Sequence, residues 1–147
     1  MGKRVHVCKK YVIEYSSSEG FNWKQQEFKD LLRALGCEVN DTDNTEITDG
    51  FGDNFECPAS DFKRALDFLK KNKDKIYNYV DNDDVVIGKD NFDNDVWVDL
   101  EEVFDAVIDA TDYDGDFDKA YNYCLDMLTS YYKERDKKNS YMNFSAY

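Results

Sequence analysis

Between positions 81 and 118 the chain carries fifteen Asp and Glu residues and a single base, Lys89. A segment with a charge of −14 cannot be taken into a protein interior, because an unpaired carboxylate removed from water is strongly destabilising. Its apolar residues must therefore enter a core from one side while the carboxylates stay in solvent. Two local patterns meet that condition. Val85-Val86-Ile87, ending at Gly88, is a short apolar run that reads as a buried strand. After Asp99 and Glu102, which have capping-box spacing, Leu100, Val103, Phe104, Val107 and Ile108 recur at helical intervals.

On that helix Glu101, Glu102, Asp105, Asp109 and Asp112 form a stripe opposite the apolar one. Carboxylates at this spacing have their β-carbons about 5–6 Å apart, and each such like-charge pair costs about 0.2–0.5 kcal/mol, whereas a lysine four residues on would stabilise the helix. Solubility alone does not ask for such a row. The formal net charge of the whole chain is −13, so everything outside the block is close to balanced. A negative surface disfavours direct binding to nucleic acid phosphates, and its sign implies a basic protein partner or none.

The remaining composition predicts one acidic globular domain spanning residues 1–147. At 41% hydrophobic residues the chain can bury a core without disulfides or metal. The basic N-terminus is not followed by an apolar h-region, and no run of 18 apolar residues occurs, so neither secretion by a standard signal nor a membrane span is expected. Cys8, Cys37, Cys57 and Cys124 are scattered singly, without a CxxC pair, and read as reduced, buried thiols in a cytoplasmic protein.

Along the chain, Val5, Val7, Tyr11, Ile13 and Tyr15 share one side of a period-2 pattern, which predicts a long first strand from Lys3 to Tyr15. Asn22 has the character of an N-cap with Gln25 three residues on. Phe28, Leu31, Leu32 and Leu35 follow at helical spacing until Gly36. Glu46–Thr48 and Asn54–Cys57 flank Asp49-Gly50-Phe51-Gly52 as a hairpin. Pro58-Ala59-Ser60 opens a helix with Phe62, Ala65, Leu66 and Leu69 on one face, with a break or continuation near Asn72 towards Ile76, Tyr77 and Val80. A last helix begins at about Asp116 with Phe117, Ala120, Tyr121, Cys124, Leu125 and Leu128 inward. The polar tail from Lys133 to Tyr147 reads as an edge strand or a flexible end. This order of elements predicts an α+β fold, a small and mostly antiparallel sheet with about four helices packed on it.

No enzyme motif is found. His6 shares a strand face with Cys8, but the pair lacks an orienting third group, and zinc held by Cys8, Cys37, Cys57 and His6 would lack the paired spacing of structural sites. Calcium is the alternative with a pattern behind it. Asn91, Asp93, Asp95, Asp99 and Glu102 fall at positions 1, 3, 5, 9 and 12 of an EF-hand-like loop, although Val96 stands where the sharp turn wants Gly. Asp112, Asp114, Asp116 and Asp118 form a second alternating cluster without the closing glutamate.

In size and charge, and not in any motif, the chain resembles the small acidic proteins of phages and mobile elements that occupy the DNA- or RNA-binding channel of a restriction or CRISPR enzyme. That resemblance implies an anti-restriction or anti-CRISPR-like nucleic-acid mimic without a cofactor. It would bind through Asp93, Asp95, Glu101, Glu102, Asp105, Asp109, Asp112, Asp114 and Asp116 to a basic, nucleic-acid-binding protein. An accessory domain of unknown role is the blander expectation.

Overall fold

The computed structural model describes residues 4–10, 14–15, 21, 24–42, 53–80, 83–113 and 115–146. In chain order the elements are β1 (Val5–Lys10), β2 (Glu14–Tyr15), α1 (Gln25–Ala34), β3 (Asn40–Thr42), β4 (Asp53–Pro58), α2 (Ala59–Lys71), α3 (Lys73–Tyr77), β5 (Asp84–Lys89), β6 (Asp95–Asp99), α4 (Leu100–Asp109), α5 (Phe117–Glu134) and β7 (Tyr141–Ala146). The fold is α+β. An antiparallel sheet runs β1-β7-β4-β3 with the short β2 on the outer edge of β1, and β5 and β6 form a separate two-stranded ribbon.

One face of the main sheet is apolar because its strands alternate. Val5 and Val7 of β1, Phe55 and Cys57 of β4, and Met142 and Phe144 of β7 are all buried. Phe144 stacks on Phe55 with ring centroids 5.2 Å apart and meets Phe28 of α1 at 5.4 Å and Tyr131 of α5 at 5.8 Å. The hydroxyl of Tyr131 donates to the carbonyl of Val5 at 2.8 Å, so the last long helix is tied to the first strand. The hydroxyl of Tyr121 likewise donates to the carbonyl of Leu69, joining α5 to α2. On the opposite face one rung aligns His6, Ser145 and Asn54, and Ser145 is fully buried there.

Three expectations are corrected. Residues 5–10 and 14–15 are two strands paired antiparallel, with Cys8 opposite Tyr15, rather than one long strand. A turn-back that keeps alternation leaves the period-2 pattern unchanged, so the pattern cannot tell the two apart. The run Val85-Val86-Ile87 is a strand, but a half-exposed one, with Val86 on its outer side. The polar tail is neither an edge nor a loose end, because β7 lies in the middle of the sheet between β1 and β4. Asn22, the segment 46–48 and the turn 49–52 fall outside the described residues. β4 pairs on that side with 40–42, Asn40 lying opposite Glu56.

Gly36 ends α1 with a positive φ of 83°, the conformation that favours glycine. A β-carbon there would also stand 2.6 Å from a methyl of Val96, so the absence of a side chain is what lets the ribbon rest on the end of α1. No described helix is long and apolar enough to cross a membrane.

The central place of β7 sets a clear expectation. Phe144→Ala should lower the unfolding free energy by about 3–5 kcal/mol, the usual cost of emptying a buried aromatic site. An unchanged denaturation midpoint would show that the C-terminal strand takes no part in the core.

Candidate acidic interface

The acidic stripe is built from the start of α4. Asp99 caps the helix, its carboxylate accepting from the backbone N–H of Glu101 at 3.0 Å and of Glu102 at 3.5 Å. That cap sets the helical phase, so Leu100, Val103 and Val107 enter the core and Glu102, Asp105 and Asp109 emerge on the solvent side. Phe104 and Ile108 pack partly buried beside them. Facing this row, Glu27, Asp30 and Arg33 recur every third residue on α1, whose other face buries Phe28, Leu31 and Leu32.

Between the two helices lies a groove of about 380 Å³ lined by Glu27, Asp30 and Arg33 from α1 and Glu102, Asp105 and Asp109 from α4. Five carboxylates share it with one guanidinium. Arg33 is held at the edge, 3.9 Å from Asp30 and donating to the carbonyl of Val39 at 3.3 Å. Glu102, Asp105 and Asp109 make no ion pair among the described residues.

The other predicted residues have separate destinations. Glu101 is half-buried and does not line the groove. Asp112, 84% exposed, stands 3.8 Å from Lys24, a surface pair that solvent largely screens. Asp116 caps α5 by accepting from the N–H of Lys119 at 3.2 Å, and Asp118 pairs with Lys73 at 3.0 Å. Asp114, like Asp81, lies outside the described residues. Glu27 and Asp30 were not foreseen. Their only local sign is the three-residue spacing on the polar face of α1, and nothing local says that α4 packs alongside.

The calcium pattern is spread out. Residues 90–94 turn between β5 and β6, so the preceding element is a strand and not an incoming helix. Asn91 and Asp93 sit in the turn, Asp93 with φ 63°, while Asp95 pairs with Lys89 at 2.8 Å and Asp99 is committed to its cap. Asp95 and Asp99 bound one extended strand, which at about 3.3 Å per residue separates them by about 13 Å. Among the described residues, no three His, Cys, Asp or Glu side chains are gathered as a metal site.

The turn itself is organised by Asp90, whose carboxylate accepts from the N–H of Asn94 at 2.9 Å and of Phe92 at 2.8 Å. Those hydrogen bonds, led by the one from Asn94, hold its carboxyl below the usual range. The cysteine chemistry is closed off by burial. The thiols of Cys8 and Cys124 are pushed up to about 12, and that of Cys57 is raised by its hydrogen bond with Cys37 and by burial. All four are free, buried thiols and none is in a disulfide. Burial, helped by the charge of Arg4, lowers the pKa of His6.

Comparison of the chain with protein-family models, with curated proteins and with solved structures finds no match to any of them.

Two outcomes are expected here. Millimolar calcium should leave both the melting temperature and the emission of Trp97 as they are in chelator; a calcium-dependent rise in melting temperature would restore the site. Because the folded Asp90 carboxyl sits below its unfolded value, its stabilising contribution is present above that unfolded value and is lost as pH falls through the folded one. The difference in melting temperature between the wild type and Asp90→Ala should therefore shrink between neutral pH and about pH 2.5. A constant difference would show that the carboxylate charge is irrelevant to the turn.

Proposed function

We propose that this chain is a non-enzymatic acidic binding protein that engages a basic surface of another protein through the groove between α1 and α4. The partner's surface is one that otherwise holds nucleic acid. The observation that carries the reading is the row Glu102, Asp105 and Asp109, exposed, without an ion pair among the described residues, and widened by Glu27 and Asp30 across the groove. Carboxylates that cap helices, pair with lysines or sit in a first helical turn, as Glu102 does, have a local use. Asp105 and Asp109 do not.

A row of fixed negative charges on a rigid helix presents a field like that of a phosphate backbone, with positions held by packing instead of by a flexible chain. A cationic channel would meet it with complementary potential, fast association and strong salt dependence. The charge is local, since the block from 81 to 118 carries −14 while the rest of the chain is close to balanced.

The test is a charge-neutral variant. Glu102→Gln, Asp105→Asn and Asp109→Asn together should leave the melting temperature unchanged or slightly raised. Affinity for a basic nucleic-acid-binding protein captured by the wild type should fall at least about tenfold, equivalent to about 1.4 kcal/mol. Duplex DNA or RNA should displace the wild-type complex, and raised salt should weaken it. Undiminished binding by the triple variant, or a complex indifferent to salt and nucleic acid, would overturn the proposal.

A further inference from the structure

The β5–β6 ribbon has an outer face whose composition differs from the rest of the acidic block. Its pairing sets Asp84 opposite Asp99, Val86 opposite Trp97, and Lys89 opposite Asp95, all three rungs on one face. A bulge at Ile87 makes this possible. Two residues of β5, Ile87 and Gly88, span the place of Val96, so Lys89 returns to the outer face instead of being turned inward. The inner face, with Val85, Val96 and Val98, rests against the core and the end of α1.

On the outer face Trp97 is 59% exposed and Val86 45% exposed, an apolar rung standing in water. The rung beyond it is closed, because Lys89 and Asp95 are paired at 2.8 Å. The rung before it is open. Asp84 and Asp99 face each other with like charge, an arrangement that destabilises a strand pair. Asp99 gives one carboxylate oxygen to the α4 cap, while Asp84 is exposed and makes no ion pair among the described residues. An indole face beside a carboxylate pair is the chemistry that recognises a guanidinium. The planar cation stacks on the ring while its in-plane N–H groups reach the oxygens. An ammonium has no plane to stack and is more strongly hydrated, so the same surface discriminates against lysine.

We propose that this outer face binds an arginine side chain of the basic partner, with Trp97 as the stacking surface and Asp84 as the acceptor. The inference rests on the reading above that the partner is basic, and adds which side chain is selected and where. The test titrates the intact chain with oligoarginine and oligolysine peptides of equal length, following the indole N–H resonance of Trp97, assigned with Trp97→Phe.

Oligoarginine should move that resonance and bind at least about fivefold more tightly than oligolysine, equivalent to about 1 kcal/mol. Asp84→Asn and Trp97→Ala should each bring oligoarginine down to the oligolysine level with cooperative unfolding retained. The triple variant of the α4 groove should weaken both peptides alike. Equal binding of the two peptides with a still Trp97 overturns this inference and leaves the basic-partner reading standing. If neither peptide binds, both readings are overturned. A Trp97 resonance that moves with protein concentration alone shows that a second copy occupies the face, and also overturns the inference.

Discussion

One guanidinium ties the acidic ribbon to two other elements, beside the packing of the ribbon's inner face on the core. Arg64 of α2 lies 3.1 Å from the Asp61 carboxylate and donates to the carbonyl of Gly36 at 3.0 Å and to that of Lys89 at 3.2 Å. It thereby joins the middle of α2, the end of α1 and the end of β5. Asp61 in turn accepts from the N–H of Glu38 at 3.1 Å. Both side chains are 11% exposed, so neither charge is well solvated. A pair of this kind adds little net stability over apolar residues, but losing one partner strands the other, at a cost of about 3–5 kcal/mol. The value of Arg64 is positional. It fixes where the bulged end of the ribbon lies, and Gly36 lets the ribbon approach closely enough to be fixed.

How much of this was legible depends on whether the signal was local. The helices at 25–34, 59–71, 100–109 and 117–134 follow from apolar spacing, and Asp99 is found as a cap because a cap acts within three residues. Spacing leaves open a break or a continuation near Asn72, and the structure has the break, α2 ending at Lys71 and α3 beginning at Lys73. The place of Tyr141–Ala146 was not legible, because strand order is decided by partners more than 80 residues away in β4 and more than 130 away in β1. Met142 and Phe144 are the side chains that settle it, and alternation alone cannot say whether they are covered from one side or at an edge. The EF-hand spacing at Asn91–Glu102 follows the alternation of a turn and a strand and does not gather its side chains. Asp93, Asp95 and Asp99 recur at odd positions of a turn and a strand whose outer face is solvated, with Trp97 among them, and that period mimics a ligand loop. The groove was half legible, its α4 wall in the sequence and its α1 wall only in the packing.

Much of the acidic block has a local explanation once the structure is known. Asp90 builds a turn, Asp99 and Asp116 cap helices, and Asp95 and Asp118 pair with Lys89 and Lys73. Subtracting them leaves, among the described residues, Asp83, Asp84, Asp93, Glu101, Glu102, Asp105, Asp109 and Asp112, of which Glu102, Asp105 and Asp109 line one groove and Asp84 stands on the outer face of the ribbon. The two groups are connected, since Asp99 belongs to the ribbon by its backbone and to α4 by its side chain.

The helix dipole sets α4 apart from the other described helices. Every other described helix has a base in its last turn: Arg33 in α1, Lys70 and Lys71 in α2, Lys75 in α3 and Lys133 in α5. There the partial negative charge of the terminal carbonyls favours a cation by about 0.3–1 kcal/mol. α4 has none, and it ends instead on Asp109, four residues after Asp105, with Asp112 just beyond. The carboxylates near that terminus are thus disfavoured by the dipole and, at this spacing, by each other. Glu102, near the N-terminus, is favoured there and needs no further cause. Asp105 and Asp109 are the residues that folding does not explain, and a positively charged surface laid across them would relieve both penalties together. Binding and relief of strain then have the same origin, which is why the α4 end of the groove, more than the total charge of the chain, supports the proposed interface.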